Sequence, residues 1–296
     1  MKLSAIQIAD WEPSKTLVFG DSKTGKSTLA GYLADRYILD WFDLENGHKV
    51  LRKLTPAQQA NINLFRIPAT KVWPIAIETI TKIVNGDKGK ICVVHGKMTC
   101  NICTKQNNPD YPQEEFCLRE SYGKDRILVI DSGTQLGISA LNRIISGQPD
   151  DFKAGWEEYR TQGSMLDGVY SQIQQAWYNV IVICHTTQAR MEDAQKTKLV
   201  PVSGTDNYSR NLAKFFDHVV YCDIGTGEHK FGSGTTYRPQ VLTGSRTDIT
   251  IEAMEKPALL PFFDGTIGKP GTGKTGGGSN TTAVLNAALA KVAGLK

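Results

Sequence analysis

Gly20-Asp21-Ser22-Lys23-Thr24-Gly25-Lys26-Ser27, followed by Thr28, is the stretch on which the reading of this sequence turns. A glycine, four residues, then Gly-Lys and a hydroxyl residue is a spacing that lets backbone N–H groups close around phosphate oxygens. The flanks agree. Thr16-Leu17-Val18-Phe19 is an apolar, β-prone run, and Lys26 to Arg36 places Leu29, Tyr32 and Leu33 on one helical face. A loop that opens a helix also gains the partial positive charge of the helix N-terminus. Gly20 to Thr28 is therefore expected to cradle the phosphates of ATP. Lys26 should reach the β and γ phosphates and Ser27 should ligate Mg2+. The pattern recurs at Gly268-Lys269-Pro270-Gly271-Thr272-Gly273-Lys274-Thr275. There no apolar strand precedes it, and Gly276-Gly277-Gly278 stands where a helix should begin, so this copy reads as linker.

Working outward, three polar clusters end apolar runs. Ile127-Leu128-Val129-Ile130-Asp131-Ser132 ends in an acid, the Walker B arrangement. Asp131 is expected to hold Mg2+ through water, with Ser132 beside it, on the strand next to the loop strand. An aspartate that only caps a turn is the plain alternative. Phe42-Asp43-Leu44-Glu45-Asn46-Gly47 offers a group to activate water at the γ phosphate. Glu45 is the candidate and Asp43 the fallback, against a solvated turn carboxylate. Val180-Ile181-Val182-Ile183-Cys184-His185-Thr186-Thr187-Gln188 brings His185 to a strand end, either to sense the γ phosphate or as a structural histidine.

Further elements alternate. Ile38 to Leu44, Leu64 to Ile67, Ile91 to Val94, His218 to Cys222, Gln240 to Leu242 and Asp248 to Glu252 read as strands. Trp73 to Ile83 and Trp156 to Trp177 read as helices. Strands that are apolar throughout need cover on both faces, which indicates an α/β fold with a mostly parallel central sheet between helices.

These elements, in this order, resemble the RecA-like core of P-loop NTPases. The likeness rests on Gly20 to Thr28, Phe42 to Glu45, Ile127 to Ser132 and Val180 to Gln188, and spans about Thr16 to Glu252. In outline the chain is most similar to phage-encoded RecA-like single-strand annealing and recombination ATPases. Circadian-clock, repair and hexameric-helicase ATPases share the core. The resemblance implies Lys26, Glu45, Asp131 and His185 as the catalytic set, and single-stranded DNA as partner. It places DNA-contacting loops at about Gln188 to Asp206 and within Ser146 to Gly163. It implies a homo-oligomer, ring or filament, in which Arg246, Arg238 or Lys230 reaches a neighbour's γ phosphate. The segment from His95 to Cys117 has no counterpart in the minimal core. The loop from Gln188 carries Arg190, Lys196 and Lys198, with Arg210 just beyond, against Glu192, Asp193 and Asp206; it suits a mobile segment tracking a phosphate backbone, with a plain surface loop the alternative.

His95 to Asp125 reads as an insertion that is poor in large apolar residues. His95, Cys100, Cys103 and Cys117 are the candidate ligands of a structural zinc, with Cys92 the weaker substitute for His95. Reduced cysteines without metal are the alternative. Cys184 and Cys222 read as core.

The chain has 296 residues and a net charge of +4. Lys269, Lys274, Lys291 and Lys296 fall in an acid-free tail from Gly265, so the first 264 residues are neutral. A neutral body excludes strong non-specific attraction to polyanions, but not a local basic groove. Residues 1–264 are thus expected to form the ATPase core with an insertion at 95–125, 265–280 a flexible glycine-rich linker, and 281–296 a short helix or tail. The basic tail is a candidate contact for DNA or for the acidic tail of a single-stranded DNA-binding protein. No apolar run is long enough to span a bilayer, and the expected location is a reducing cytoplasm, that of the host if the chain is phage-encoded. Besides a DNA-dependent ATPase, a hexameric helicase or motor and a nucleotide-switch scaffold with little turnover fit the same motifs.

Overall fold

Apolar strands cluster where they can be covered on both faces, and here six of them run parallel in one sheet. In spatial order they are β3 (Ile62–Arg66), β2 (Ile38–Asp43), β6 (Arg126–Asp131), β7 (Asn179–Cys184), β1 (Lys15–Gly20) and β10 (His218–Ile224). β11 (His229–Ser233) and the short β12 (Gly244–Ser245) pair antiparallel with β10. The computed structural model describes residues 12–87, 89–92, 94–98, 100, 113–116 (backbone), 125–191, 197–224, 229–233, 238, 240–246 and 259–263. The chain divides into units Met1–Thr266 and Ile267–Lys296. The second unit, with the linker, the tail and the second glycine-lysine match, lies outside the described residues, as does Asp248 to Glu252.

Side chains alternate across the sheet with the period of two that a strand imposes. Leu17, Phe19, Phe42, Leu128, Ile130 and Val182 face one layer. They pack on α3 (Ala76–Val84), α4 (Gly133–Ile144) and α5 (Trp156–Gln174), through residues such as Ile80, Leu136 and Tyr170. Val18, Trp41, Val129 and Ile181 face the other, against Leu29 of α1 (Lys26–Gly31), Leu33 and Phe262. α2 (Pro56–Ala60) is short and closed by a Thr55 capping box with Gln58. α6 is Asp206–Asn211, capped by Thr205.

A polar cluster on β2 interrupts the apolar sheet. Asp40, fully buried in β2, accepts from Arg126 Nε at 3.1 Å and Nη2 at 2.8 Å, and from Asn63 Nδ2 at 2.8 Å. A buried carboxylate is tolerated because paired donors replace its water. On β10, His218 stacks on Phe262 with ring centroids 4.1 Å apart. Burial pulls its pKa down to about 4.

Several expectations need correction. β6 is not next to the loop strand, because β7 pairs with both β1 and β6 and separates them. β4 (Gly89–Cys92), expected as Ile91 to Val94, is outside the central sheet; it pairs antiparallel with β5 (Gln113–Phe116) and makes a bridge from Ile91 to Met98. Gln240 to Leu242 forms a single bridge, Leu199 to Val241, instead of a strand. The first helix ends at Gly31 and continues as a 3-10 turn over Tyr32–Asp35. Gln188 to Asp206 is not simply a loop. β8 (Thr186–Arg190) and β9 (Thr197–Pro201) pair as an antiparallel hairpin, with 192–196 outside the described residues. Within Ser146 to Gly163, the part from Trp156 onward belongs to α5. Among the described residues no helix is long and apolar enough to cross a membrane.

Candidate nucleotide site

The loop between β1 and α1 is shaped by what its glycines permit. A Cβ at Gly20 would lie 2.1 Å from the Cys222 carbonyl oxygen on β10, so the backbones approach as only glycine allows. Gly25 has φ +88, and a Cβ there would sit 3.1 Å from His229 Nδ1. That His229 nitrogen donates to the Thr24 carbonyl at 3.1 Å, bringing β11 onto the loop. Lys26 is buried, and its ammonium donates to the carbonyls of Gly20 at 2.9 Å and Asp21 at 2.6 Å. Burial lowers its pKa, offset in part by nearby groups that include Asp131 and Glu45.

The acids gather opposite. Ser27 Oγ donates to Asp131 Oδ2 at 2.8 Å, although β7 lies between their strands, because Ser27 stands on the first turn of α1. Asp131 is buried. Its pKa is pushed up to about 7, first by burial and then by the charges of Glu45 and Asp43, against the Ser27 hydrogen bond. A hydroxyl and a carboxylate side by side, in a cluster whose charges oppose one another, suit a divalent cation. Ser27 and Asp131 fit Mg2+.

Glu45 stands past the end of β2. It accepts from the Ser132 hydroxyl and lies 3.1 Å from His185 Nε2. Burial raises its pKa, but the hydrogen bonds of His185 and Ser132 and the charges of His185 and Lys26 outweigh this. The carboxyl titrates below its ordinary value. With Nε2 donating to Glu45, Nδ1 of a neutral ring accepts from Ser22 Oγ at 3.5 Å. The His185 backbone N–H donates to Thr134 Oγ1 at 2.9 Å. A chain of contacts thus runs from the phosphate loop through His185 and Glu45 to Ser132, whose hydroxyl also caps α4 by accepting from Gln135 N at 3.2 Å.

Asp43, the fallback base, is otherwise engaged. Its Oδ1 accepts from the backbone of Glu45 at 3.2 Å and Gly47 at 3.0 Å, and its Oδ2 lies 2.6 Å from His48 Nδ1. It organises the turn that carries Glu45. A cavity of about 470 Å3 joins Ser22, Lys23, Gly25 to Thr28, Glu45, Asp131, Ser132, His185 and His229. A larger one of about 680 Å3 meets it at Glu45 and lies away from the phosphate loop, along Asp43, Arg66, Thr70, Val94 and Gln135.

Of the residues expected to bind nucleotide, Gly20, Asp21 and Thr24 form the loop scaffold, while Ser22, Lys23, Gly25, Lys26, Ser27 and Thr28 line the smaller cavity. His229 and Thr134 were not expected. No motif marks either, since each acts through a contact between elements distant in sequence. Among the basic candidates, Arg246 pairs with Asp217 at 3.4 Å and also donates to the Lys214 carbonyl. Arg238 pairs with Asp223 at 2.6 Å, and Lys230 sits opposite Asp223 on β11. Of the metal candidates, His95 and Cys100 come together, and Cys92 joins them. Cys103 and Cys117 lie outside the described residues. Cys184 and Cys222 are buried in β7 and β10.

Residues 12–247 match the model of a family described as the AAA domain. No curated protein matches the chain. Among solved structures, similarity is found to a prototypical ATPase from the type III secretion system of pathogenic bacteria, at 14% identity and a TM-score of 0.39. The match covers 79% of this chain and 57% of that one, so this chain spans little more than half of that ATPase's length. The family match runs over most of the chain, from ahead of β1 to just past β12, and encloses the phosphate loop and both acids opposite it. The chain belongs to the AAA domain family of P-loop ATPases.

Proposed function

We propose that the chain hydrolyses ATP at this site and that single-stranded DNA on the β8–β9 hairpin sets the rate, as in recombination, annealing or repair by RecA-like ATPases. The observation that carries the proposal is the contact of Glu45 with His185, one residue ahead of the hairpin. Glu45 takes the proton of the attacking water. Its low pKa keeps it ionised at neutral pH and ready to accept. Lys26 turns from the Gly20 and Asp21 carbonyls to the β and γ phosphates, exchanging two hydrogen bonds for charge pairing. Ser27 and Asp131 hold Mg2+, which when bound offsets charge building on the phosphate oxygens. His185 orients the Glu45 carboxylate, and movement of the hairpin shifts that orientation.

The hairpin carries Arg190 on β8 and Lys198 on β9, and Arg210 of α6 donates to the Arg190 carbonyl at 2.8 Å. Basic side chains on this hairpin suit a phosphate backbone. The reading includes self-association, with a basic residue from one copy at the γ phosphate of the next. It also includes contact of the basic tail with DNA or a single-stranded DNA-binding protein. The deciding experiment is ATP turnover of wild type and Lys26→Ala with and without single-stranded DNA. Turnover in wild type that rises with DNA, and its loss in the variant, supports the proposal. DNA-independent turnover with no DNA binding refutes the DNA half alone.

A further inference from the structure

We propose that Cys92, His95 and Cys100 hold a zinc ion, so that the metal is anchored at the end of β4 by a ligand the sequence spacing had ranked last. Cys92 Sγ lies 3.4 Å from His95 Nδ1, and Cys100 Sγ lies 3.7 Å from the same nitrogen. Zinc bonds of about 2.3 Å to sulfur and 2.0–2.1 Å to nitrogen, at a tetrahedral angle, set S···N separations of about 3.6 Å. Hydrogen bonding accounts less well for the cluster, because two sulfurs converge on one ring nitrogen that carries at most one proton. The ligand atoms lie within 4.8 Å of one another.

The surroundings suit thiolates. Cys92 and Cys100 are fully buried. The His95 backbone N–H donates to Cys92 Sγ at 3.3 Å, a bond that strengthens when the sulfur is charged. The turn between them is fastened on all sides. Gly96 N donates to the Cys92 carbonyl at 2.7 Å, Thr79 Oγ1 of α3 donates to the Gly96 carbonyl at 2.9 Å, and Trp73 Nε1 donates to the His95 carbonyl at 3.0 Å. Gly96 has φ +63, and a Cβ there would lie 2.8 Å from the Arg66 carbonyl oxygen, so the turn is wedged against the chain leaving β3. Buried in this fastened turn, the ion would serve the fold of the segment. It fixes Val94, which lines the larger cavity that also holds Glu45.

The test uses the full chain, purified under reducing conditions, and has no ATPase readout. Elemental analysis should give about one zinc per chain. X-ray absorption at the zinc edge should show both sulfur and nitrogen ligands. Cys92→Ser, Cys100→Ser and His95→Ala should each lose the metal. His95→Cys, which replaces nitrogen with thiolate, should retain it, as should Cys184→Ser in the distant β7. Should the serine variants precipitate, the wild-type absorption spectrum decides alone. A wild-type chain free of zinc, a spectrum without nitrogen, or full zinc retention in soluble Cys92→Ser overturns the assignment.

Discussion

Glu45→Gln isolates proton acceptance from everything else at the site. The glutamate carboxylate receives the Ser132 hydroxyl and lies within 3.1 Å of His185 Nε2. A glutamine amide oxygen can accept from both, so the turn and the His185 contact persist. What is lost is a negative proton acceptor. General-base catalysis contributes about 10²–10⁴-fold, which is about 3–5 kcal/mol of barrier. Lys26, Ser27 and Asp131 are untouched, so ATP affinity should change by less than about tenfold, 1.4 kcal/mol. The assay is steady-state kcat beside a direct titration with a fluorescent ATP analogue. The expected pattern is a kcat lower by about 10²–10⁴ with binding retained. A glutamine variant that turns over within about tenfold of wild type would falsify the assignment of Glu45 as base, as would a loss of turnover fully explained by weaker binding.

Gly20→Ala forces a methyl to 2.1 Å from the Cys222 carbonyl oxygen, so the loop must separate from β10. Nucleotide titration should show binding lost even where the protein remains soluble. Asp40→Ala leaves the half-buried Arg126 guanidinium without its bidentate carboxylate, and denaturant unfolding should show a loss of about 1–3 kcal/mol. His218 titrates near 4 when folded and at 6.5 as an ordinary histidine, so the unfolded chain takes up the proton first. Its contribution is complete above pH 6.5 and is lost as pH falls towards 4, by about 3 kcal/mol. His218→Gln should flatten that part of the stability profile. Reversing the charges of Arg190 and Lys198 together to glutamate should weaken single-stranded DNA binding and reduce its salt dependence. Equal DNA affinity in that variant places the DNA elsewhere.

The parts that could be read from sequence are those where chemistry is local. The phosphate loop, the apolar strands ending at Asp131 and Cys184, and the turn bearing Glu45 each declare themselves within a few residues. The rest depends on partners far along the chain. α4 opens on Gly-Thr-Gln-Leu-Gly, a poor helix former. Its Ser132 cap and the packing of Leu136 and Ala140 outweigh that preference. Gly137 is needed there because a Cβ would lie 2.6 Å from Gly204 N. Of the described residues of the β8–β9 hairpin Ala189, Val200 and Pro201 are the buried ones, so its strands show no clear alternation. Cys92 sits in an apolar run and reads only as a substitute ligand, yet β4 ends on it and its sulfur meets His95. The order of strands was misread because hydropathy says which strands are buried, and not which one separates two others.

The buried Asp40 cluster has a consequence beyond its own energy. β2 is held on both sides, with Asp40 level with Asn63 on β3, while Arg126 reaches it from the start of β6. Sliding β2 by one residue would turn the carboxylate to the opposite face, away from both donors, and strand it in the place of Leu39 or Trp41 among apolar side chains such as Leu33, Ile127 and Val129. Such an offset is excluded by the cost of an unpaired charge, where apolar side chains alone would tolerate it more readily. The same lock keeps Asp43 level with Asp131. The alignment of Glu45 with Asp131 is therefore a calibration made inside the sheet.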